Sequence, residues 1–415
     1  MKDQIVKYTK KLIQDKTAIP DSIRFYALDD EVIASREDAW KPVFESVLAE
    51  LNVVGLLLAQ PALPFADYLI AKAGGRERRI YPRDSETKTF LHDIPLIRKE
   101  EIDEKMIMPA CLVVNHDIPF IRKEEIDGDL PRKIAAVLRE RKGLVIEGVG
   151  FVSSGTVTLE QAYIIYSSIF HATFIKYLYD LLETGFSLPG EREVFYNFRE
   201  SRPTAPDVNS LRFRQGPLME RSEILDEIAV VGRYTVETGL VDSFFGNISY
   251  FSDGIVYISQ TGASLDGLDG FIDPVPMDNS STYGITASSE LPVHRRIYET
   301  TDCRTVLHGH PKFSIIISML CDKRAVCEIV DCGKNCPETR MFGDIPIVAG
   351  EIGVGGIAKN VPPVVREFGR ALVFGHGAFC VGRNDFKEAF TELARMEEAC
   401  STGYFRLLRQ RLDAV

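Results

Sequence analysis

Two separated stretches from the first half of this chain recur, in the same order, in the second half. Residues 56–61 (LLLAQP) match residues 306–311 (VLHGHP) at a constant offset of 250 positions. Farther along, two strand-like segments with a predicted helix between them recur as well. Residues 117–119 match residues 344–346, and residues 143–148 match residues 371–377. Coincidence between two strand-and-helix units is the alternative, but two matches in the same order favour a duplicated domain.

Length and a proline-containing stretch divide the chain into two parts. A chain of 415 residues is too long for one ordinary hydrophobic core and long enough for two domains of about 200 residues each. Residues 199–217 include Pro203, Pro206 and Pro217, a composition typical of a linker. We therefore predict a first domain over residues 1–200, a linker over residues 201–217 and a second domain over residues 218–415.

His308 and His310 stand two positions apart in an apolar run of the second half. Residues i and i+2 of a strand point to the same side, so both imidazoles face one direction. They could be ordinary polar residues on an exposed strand, but Val306, Leu307 and Pro311 around them indicate burial, where unpaired imidazoles are costly. Side-by-side imidazoles suit a divalent metal such as zinc, and a third histidine from elsewhere would leave one coordination position open.

The matching positions of the first half hold other residue types. On the pairing above, Leu58 and Gln60 take the places of the paired histidines, and Glu147 takes the place of His376. These three residues cannot replace three imidazoles as metal ligands. We therefore predict that the first domain is a degenerate copy, with its strands kept and its metal ligands lost.

Glu290 is the natural candidate for a general base in the second half. A carboxylate beside a metal-polarised carbonyl can accept and return a proton, and its pKa responds to burial and to the metal's charge. Because Glu290 also stands at the start of a predicted helix that opens near Ser288, a capping role is the alternative. Three short motifs supply amides and hydroxyls that together could bind an anion: Gly246-Asn247-Ile248-Ser249, Thr261-Gly262 and Ser288-Ser289. Taken separately, each motif is explained as well by a turn.

Charge and hydropathy exclude several classes of protein. The formal net charge is −11 without a long Lys/Arg-rich run, which argues against general nucleic-acid binding. The first residues lack an apolar signal core, and the most apolar stretch, residues 53–71, is interrupted by polar residues and prolines. We therefore predict a cytoplasmic protein that binds neither nucleic acid nor membrane.

Two further features have no function assigned from the sequence. Cys327, Cys332 and Cys336 lie close together, and we interpret them as incidental or substrate-pocket thiols, with a second metal site as the alternative. Residues 92–103 recur nearly verbatim as residues 116–127, which indicates a local tandem duplication.

The ordered motifs of the second half resemble the class II aldolase/adducin family, and in particular its L-fuculose-1-phosphate aldolase-like domains. The motifs run in the order GNIS (246–249), ISQTG (258–262), SSE (288–290), HGHP (308–311) and GHG (375–377). The resemblance covers roughly residues 220–408 and extends to residues 53–182 only as a degenerate echo. It implies an α/β fold, a three-layer α/β/α domain with a mainly antiparallel sheet. It also implies a homo-oligomer, a dimer of two-domain chains or higher.

The same resemblance implies roles for individual residues. His308, His310 and His376 would bind a divalent metal, zinc foremost, with manganese, iron or cobalt as alternatives. Glu290 would be the catalytic acid/base, and a glutamate here favours a lyase, since the family's epimerases usually have aspartate. The substrate, or its phosphate, would be held by five residues: Asn247, Thr261, Gly262, Ser288 and Ser289.

The function expected from this resemblance is that of a metal-dependent aldolase or lyase. It would cleave or form a C–C bond in a small hydroxy-carbonyl substrate, with or without a phosphate group, through a metal-stabilised enediolate. A decarboxylase or a sugar-phosphate epimerase of the same family, and a non-catalytic adducin-like assembly module, are the alternatives.

Overall fold

The computed structural model describes residues 1–73, 79–85, 87, 91, 118–121, 130–203, 205–351 and 356–413. These residues form two compact units, Met1–Arg202 and Pro203–Val415. Most of the tandem repeat over residues 92–103 and 116–127 lies outside the described residues. Within the described part of the chain, no helix is both long and apolar enough to cross a bilayer.

The first unit is built on one mixed sheet. Its strands lie in the order β2-β1-β3-β7-β6-β5-β4, and every neighbouring pair is antiparallel except β5–β6. The elements are α1 (Lys2–Gln14), β1 (Arg24–Leu28), β2 (Val32–Ala34), α2 (Lys41–Glu50), β3 (Gly55–Ala59), α3 (Ala66–Ala73), β4 (Arg79–Ile80), β5 (Ile118–Ile121), α4 (Leu130–Glu140), β6 (Gly143–Ile146), β7 (Gly150–Gly155), α5 (Leu159–Thr184) and α6 (Glu191–Glu200).

The second unit has a sheet of the same kind. Its strand order is β10-β9-β8-β11-β15-β14-β13-β12, and only β13–β14 is a parallel pair. The elements are α7 (Arg221–Glu237), β8 (Gly246–Ser252), β9 (Ile255–Ser259), β10 (Ile272–Pro276), α8 (Leu291–Thr300), β11 (Thr305–Gly309), α9 (Lys312–Ser318), α10 (Cys332–Asn335), β12 (Arg340–Phe342), β13 (Ile345–Val348), α11 (Ile357–Phe368), β14 (Arg370–Val373), β15 (Gly377–Gly382) and α12 (Phe386–Asp413).

Helices cover both faces of the second sheet. Val306 of β11 packs in a core with residues of α8 and α11, such as Ile297 and Val361. The next residue, Leu307, points to the opposite face because side chains alternate along a strand, and on that side β11 and β15 pack against α12. The fold is therefore α/β in three layers with a mainly antiparallel sheet, as predicted.

The seven described strands of the first sheet match seven of the eight strands of the second in order, with β10 as the additional strand, and the matched strands share their register. Leu58 of β3 pairs with Val152 of β7, and His308 of β11, at an offset of 250, pairs with Phe379 of β15. The parallel pairs also correspond: residues 120 and 145 in the first unit, residues 347 and 372 in the second, each at an offset of 227. Because a one-residue slip would turn every side chain to the other face, the shared register supports a duplicated domain.

The register corrects one pairing made from the sequence. The turn from β6 to β7 and the turn from β14 to β15 each contain a glycine in the left-handed region, Gly148 with φ 71° and Gly375 with φ 60°. The next residue in each donates the same backbone hydrogen bond, Val149 to Ile146 at 3.0 Å and His376 to the end of β14 at 3.1 Å. Val149 is therefore the counterpart of His376, and the pairing with Glu147 was wrong, since the left-handed glycine sets the register of this turn.

Candidate metal centre

Three histidines from two distant stretches of the second unit meet at the ends of two central strands of its sheet. His308 lies near the end of β11 and His310 just beyond it, while His376 lies in the turn between β14 and β15. The pairing of β11 with β15 brings these segments side by side. All three side chains are buried, with 1–2% of their surface exposed. Burial of three imidazoles together requires partners for their nitrogens.

Their ring nitrogens converge. One nitrogen from each of the three rings lies within 4.8 Å of the other two, and the Nε2 atoms of His308 and His310 are 2.8 Å apart. His308 Nδ1 lies 2.9 Å from the backbone oxygen of Ala378. Donation of the Nδ1 proton to that carbonyl leaves a lone pair on Nε2, the arrangement usual for metal-binding histidines. The donor set fits a divalent metal.

A glycine makes this convergence possible. A Cβ at Gly377 would lie 2.5 Å from the backbone oxygen of Gly309, 2.7 Å from His310 Cδ2 and 3.1 Å from His308 Cε1. The first two distances are shorter than any ordinary van der Waals contact. The two rings therefore occupy space that only glycine leaves open at the start of β15.

Glu290 faces the histidines. Its Oε1 lies 2.8 Å from Nε2 of His376, and its Oε2 lies 3.1 Å from Nε2 of His308. Asn247 donates from Nδ2 to Oε2 at 2.9 Å. The helix predicted to open near Ser288 begins instead at Leu291, after Glu290 as N-cap residue, and the Glu290 side chain makes no capping hydrogen bond. The carboxylate thus points to the histidines and does not serve the helix.

Burial and neighbouring groups together set the protonation of this cluster. Burial lowers the pKa of His308 to about 4, although the Glu290 carboxylate acts in the opposite sense. Burial alone would raise the pKa of Glu290, but His308, His376 and the Asn247 amide outweigh it and hold that pKa below its ordinary value. A neutral imidazole and an ionised carboxylate result at neutral pH, which are the protonation states that a metal cation needs.

The five residues proposed to hold the substrate lie beside the N-terminus of α8, in two environments. Asn247 and Ser288 are buried next to Glu290, and Ser288 Oγ accepts from the Glu290 backbone N–H at 3.3 Å. The Oδ1 atom of Asn247 is buried without a hydrogen-bond partner among the described residues. Three residues are exposed along the adjoining loops: Thr261, Gly262 and Ser289. Thr261 is tied to this segment because its hydroxyl donates to the Ala287 carbonyl at 2.9 Å.

A buried polar network next to Glu290 was missed in the sequence. Ser249 Oγ lies 2.6 Å from both His294 Nδ1 and the Tyr298 hydroxyl. The available signal was spacing, because His294 and Tyr298 follow Glu290 by four and eight positions on a helix and therefore share one face.

The cysteine cluster gives no second metal site within the described part of the chain. Cys327 is exposed, Cys332 and Cys336 are partly buried, and all three are free thiols. Of the described histidines, cysteines and acids, only the three histidines above group as possible ligands.

Solved structures similar to this chain include several aldolases. An L-fuculose-1-phosphate aldolase from Thermus thermophilus is 24% identical, with 46% of this chain and 96% of that chain covered and a TM-score of 0.35. A sugar-phosphate aldolase from Thermotoga maritima is 16% identical, with 46% and 96% covered and a TM-score of 0.34. YgbL from Escherichia coli is 21% identical, with 43% and 87% covered and a TM-score of 0.36. No curated protein matches the chain.

A family comparison identifies the second unit. Residues 226–404 match the family described as "Class II Aldolase and Adducin N-terminal domain". The matched residues include α8, β11 and the turn before β15, and with them all three histidines and Glu290. Residues 226–404 of this chain are therefore identified as a class II aldolase/adducin domain.

Proposed function

We propose that the second unit is a metal-dependent aldolase-type lyase that forms or cleaves a C–C bond in a small hydroxy-carbonyl compound. One observation supports this above all: three buried imidazole nitrogens lie within 4.8 Å of one another, and the Glu290 carboxylate lies 2.8 and 3.1 Å from two of the rings. His308, His310 and His376 would hold a divalent metal, and three protein ligands are usual in catalytic zinc sites. The Glu290 carboxylate beside these rings suits proton transfer.

In this proposal the metal, zinc foremost, supplies a Lewis acid that stabilises negative charge on a carbonyl oxygen. Glu290 accepts the proton from the carbon beside that carbonyl on a carboxylate oxygen, and the C–H electron pair forms the new bond to an aldehyde carbon. The aldehyde oxygen takes a proton from solvent, and Glu290 returns its own proton to solvent before the next turnover. Asn247 orients the carboxylate through its Nδ2 donor. In the cleavage direction each of these proton transfers runs in reverse.

Substrate binding is proposed for the polar residues around the N-terminus of α8. Asn247 offers a buried Oδ1 acceptor without a partner among the described residues, which suits a substrate hydroxyl. Ser288, Ser289 and Thr261 offer hydroxyls, and Gly262 offers a backbone N–H. This set can bind either a hydroxyl-bearing chain end or a phosphate.

Proton abstraction can be measured without knowledge of the aldehyde. The metal-loaded protein is incubated in D2O with dihydroxyacetone or with its phosphate, and proton NMR follows the loss of the CH2 signal beside the carbonyl. We expect exchange with the loaded protein and none after the metal is removed by a chelator. Exchange with the phosphate ester alone would assign the loop residues to phosphate binding.

Metal content provides the complementary measurement. We expect one divalent ion per chain in the purified protein. A chain that neither retains nor takes up a stoichiometric divalent ion would contradict the proposal and favour a non-catalytic assembly module.

We also propose a homo-oligomer, because the family is oligomeric. Light scattering of the purified protein should give at least twice the chain mass of 46.5 kDa. A mass equal to that of one chain at working concentration would contradict this part of the proposal.

A further inference from the structure

A chain of hydrogen bonds lies buried between β8 and α8. His294 Nδ1 and the Tyr298 hydroxyl each lie 2.6 Å from Ser249 Oγ, and Tyr298 donates to the Ser249 carbonyl at 3.1 Å. One direction of donation satisfies these contacts: Nδ1–H of His294 to Ser249 Oγ, Ser249 to the tyrosine oxygen, and the tyrosine to the carbonyl. His294 and Ser249 are 0% exposed. The network is therefore shielded from water.

The network is continuous with the contacts of Glu290. Glu290, the N-cap residue of α8, is followed at single-turn spacing by His294 and Tyr298 of that helix. These side chains face Asn247 and Ser249 of β8. Directed polar contacts thus join this helix to this strand along their length, and the Glu290 carboxylate lies at the end next to the metal ligands.

The first unit shows that the fold does not need this network. By the shared register, Tyr26, Phe44 and Leu48 occupy the positions of Ser249, His294 and Tyr298. The backbone is the same there: Phe44 N–H donates to Trp40, as His294 N–H donates to Glu290.

In the first unit the contact between strand and helix is apolar. The rings of Tyr26 and Phe44 stack at 4.7 Å, and Leu48 packs in the same core cluster. The polar network therefore occurs in the unit that has the three histidines, and an apolar contact replaces it in the unit whose counterpart positions are Leu58, Gln60 and Val149.

We propose that Ser249, His294 and Tyr298 are positioning residues that hold α8, and through it the Glu290 carboxylate, at a set distance from the histidine cluster. The inference rests on the proposed function in taking Glu290 as the base. Apolar contacts tolerate small shifts along the helix axis, whereas directed hydrogen bonds do not. A misplacement of about 1 Å in a reacting group can cost about a hundredfold in rate.

The first test replaces His294 by the residue of the first unit. We expect His294→Phe to fold and to bind one metal ion, while kcat for deuterium exchange falls by about tenfold to a hundredfold and KM stays nearly unchanged. His294→Asn should restore most of kcat because its amide N–H can replace Nδ1–H as donor to Ser249. Ile297→Val, a core change on the same helix, is the control and should leave kcat near wild type.

The second test needs no activity. Hydrogen exchange of the metal-free protein, followed by mass spectrometry, should show faster exchange in the peptide containing residues 288–298 for His294→Phe and Ser249→Ala. His294→Asn and Ile297→Val should exchange as wild type does. A wild-type protein that is inactive toward both ketones would contradict the proposed function. Hydrogen exchange of the protein would then still test whether the hydrogen-bond network holds α8.

Two results would overturn the proposal. One is a His294→Phe variant with wild-type kcat and wild-type exchange in residues 288–298. The other is an equal fall of kcat in His294→Phe, His294→Asn and Ile297→Val, which would assign these residues to general stability.

Discussion

Leu58 and His308 occupy the same position of the same strand in the two units, and each pairs with the corresponding residue of its neighbour, Val152 or Phe379. Leu58 is packed in the core of its unit, whereas the His308 ring lies against two other imidazoles. At this position the two units have matching backbones, and the side chain alone makes the residue a core residue in the first unit and a candidate metal ligand in the second.

Metal content should follow the second unit only. His310→Ala removes one of three nitrogens and is expected to abolish stoichiometric zinc binding at equal protein and metal concentration, because two imidazoles hold zinc poorly. Gln60→Ala, at the counterpart position of the first unit, should retain one zinc per chain. Plasma mass spectrometry after dialysis measures both. Two ions per wild-type chain would contradict a site in the second unit only, and a full complement in His310→Ala would show that the ligands lie elsewhere.

Glu290→Gln keeps the volume of the side chain and removes the proposed base. We expect the metal to stay bound while turnover falls by about 10²–10⁴-fold, the usual contribution of general acid–base catalysis. Deuterium exchange into the ketone measures the step directly. Glu299→Gln, an exposed glutamate on the same helix, is the control. Near-normal exchange in Glu290→Gln would assign proton abstraction to another group.

Gly377→Ala should weaken metal binding. Its methyl group would overlap the Gly309 carbonyl and the edge of the His310 ring, so the rings must move apart. We expect zinc affinity to fall by about tenfold or more, comparable to the loss of an outer-shell contact. Gly267→Ala has open space around its new methyl group and should bind as wild type does. Chelator competition compares them, and equal affinities would mean that the site relaxes freely.

Acid should destabilise the metal-free protein through its buried histidines. Burial lowers the pKa of His294 to about 3 and that of His308 to about 4, whereas an unfolded histidine has a pKa of about 6.5. The unfolded chain therefore binds these protons first as the pH falls below about 6.5, and the free energy of unfolding drops by about 1.4 kcal/mol per pH unit for each such histidine. Above that pH these groups contribute no slope.

Urea denaturation at a series of pH values measures this effect. His294→Phe removes one titrating group. Between about pH 6.5 and about pH 4, the free energy of unfolding should therefore change less steeply with pH in the variant, and the difference in slope should equal the contribution of one histidine. Identical slopes would mean that His294 is protonated in the folded protein or exposed to water.

The sequence by itself determined much of the local structure and which residues are candidates for the chemistry. The two-residue spacing of His308 and His310 on a strand and the apolar residues around them predicted neighbouring imidazoles, because side-chain direction along a strand depends only on position. The matches at an offset of 250 likewise predicted two units of related fold, and the seven described strands of the first sheet have the order of seven of the eight strands in the second. These inferences depend on patterns within a few residues.

Only the tertiary structure decided which distant groups meet. The pairing of β11 with β15 brings His376 to His308, and the packing of α8 on β8 turns Glu290 toward the rings and buries His294 against Ser249. The matching positions of the left-handed glycines Gly148 and Gly375 show that Val149, and not Glu147, is the counterpart of His376. The physical reason is that register, burial and hydrogen bonding between elements arise from packing of segments far apart in the chain, which local residue patterns do not specify.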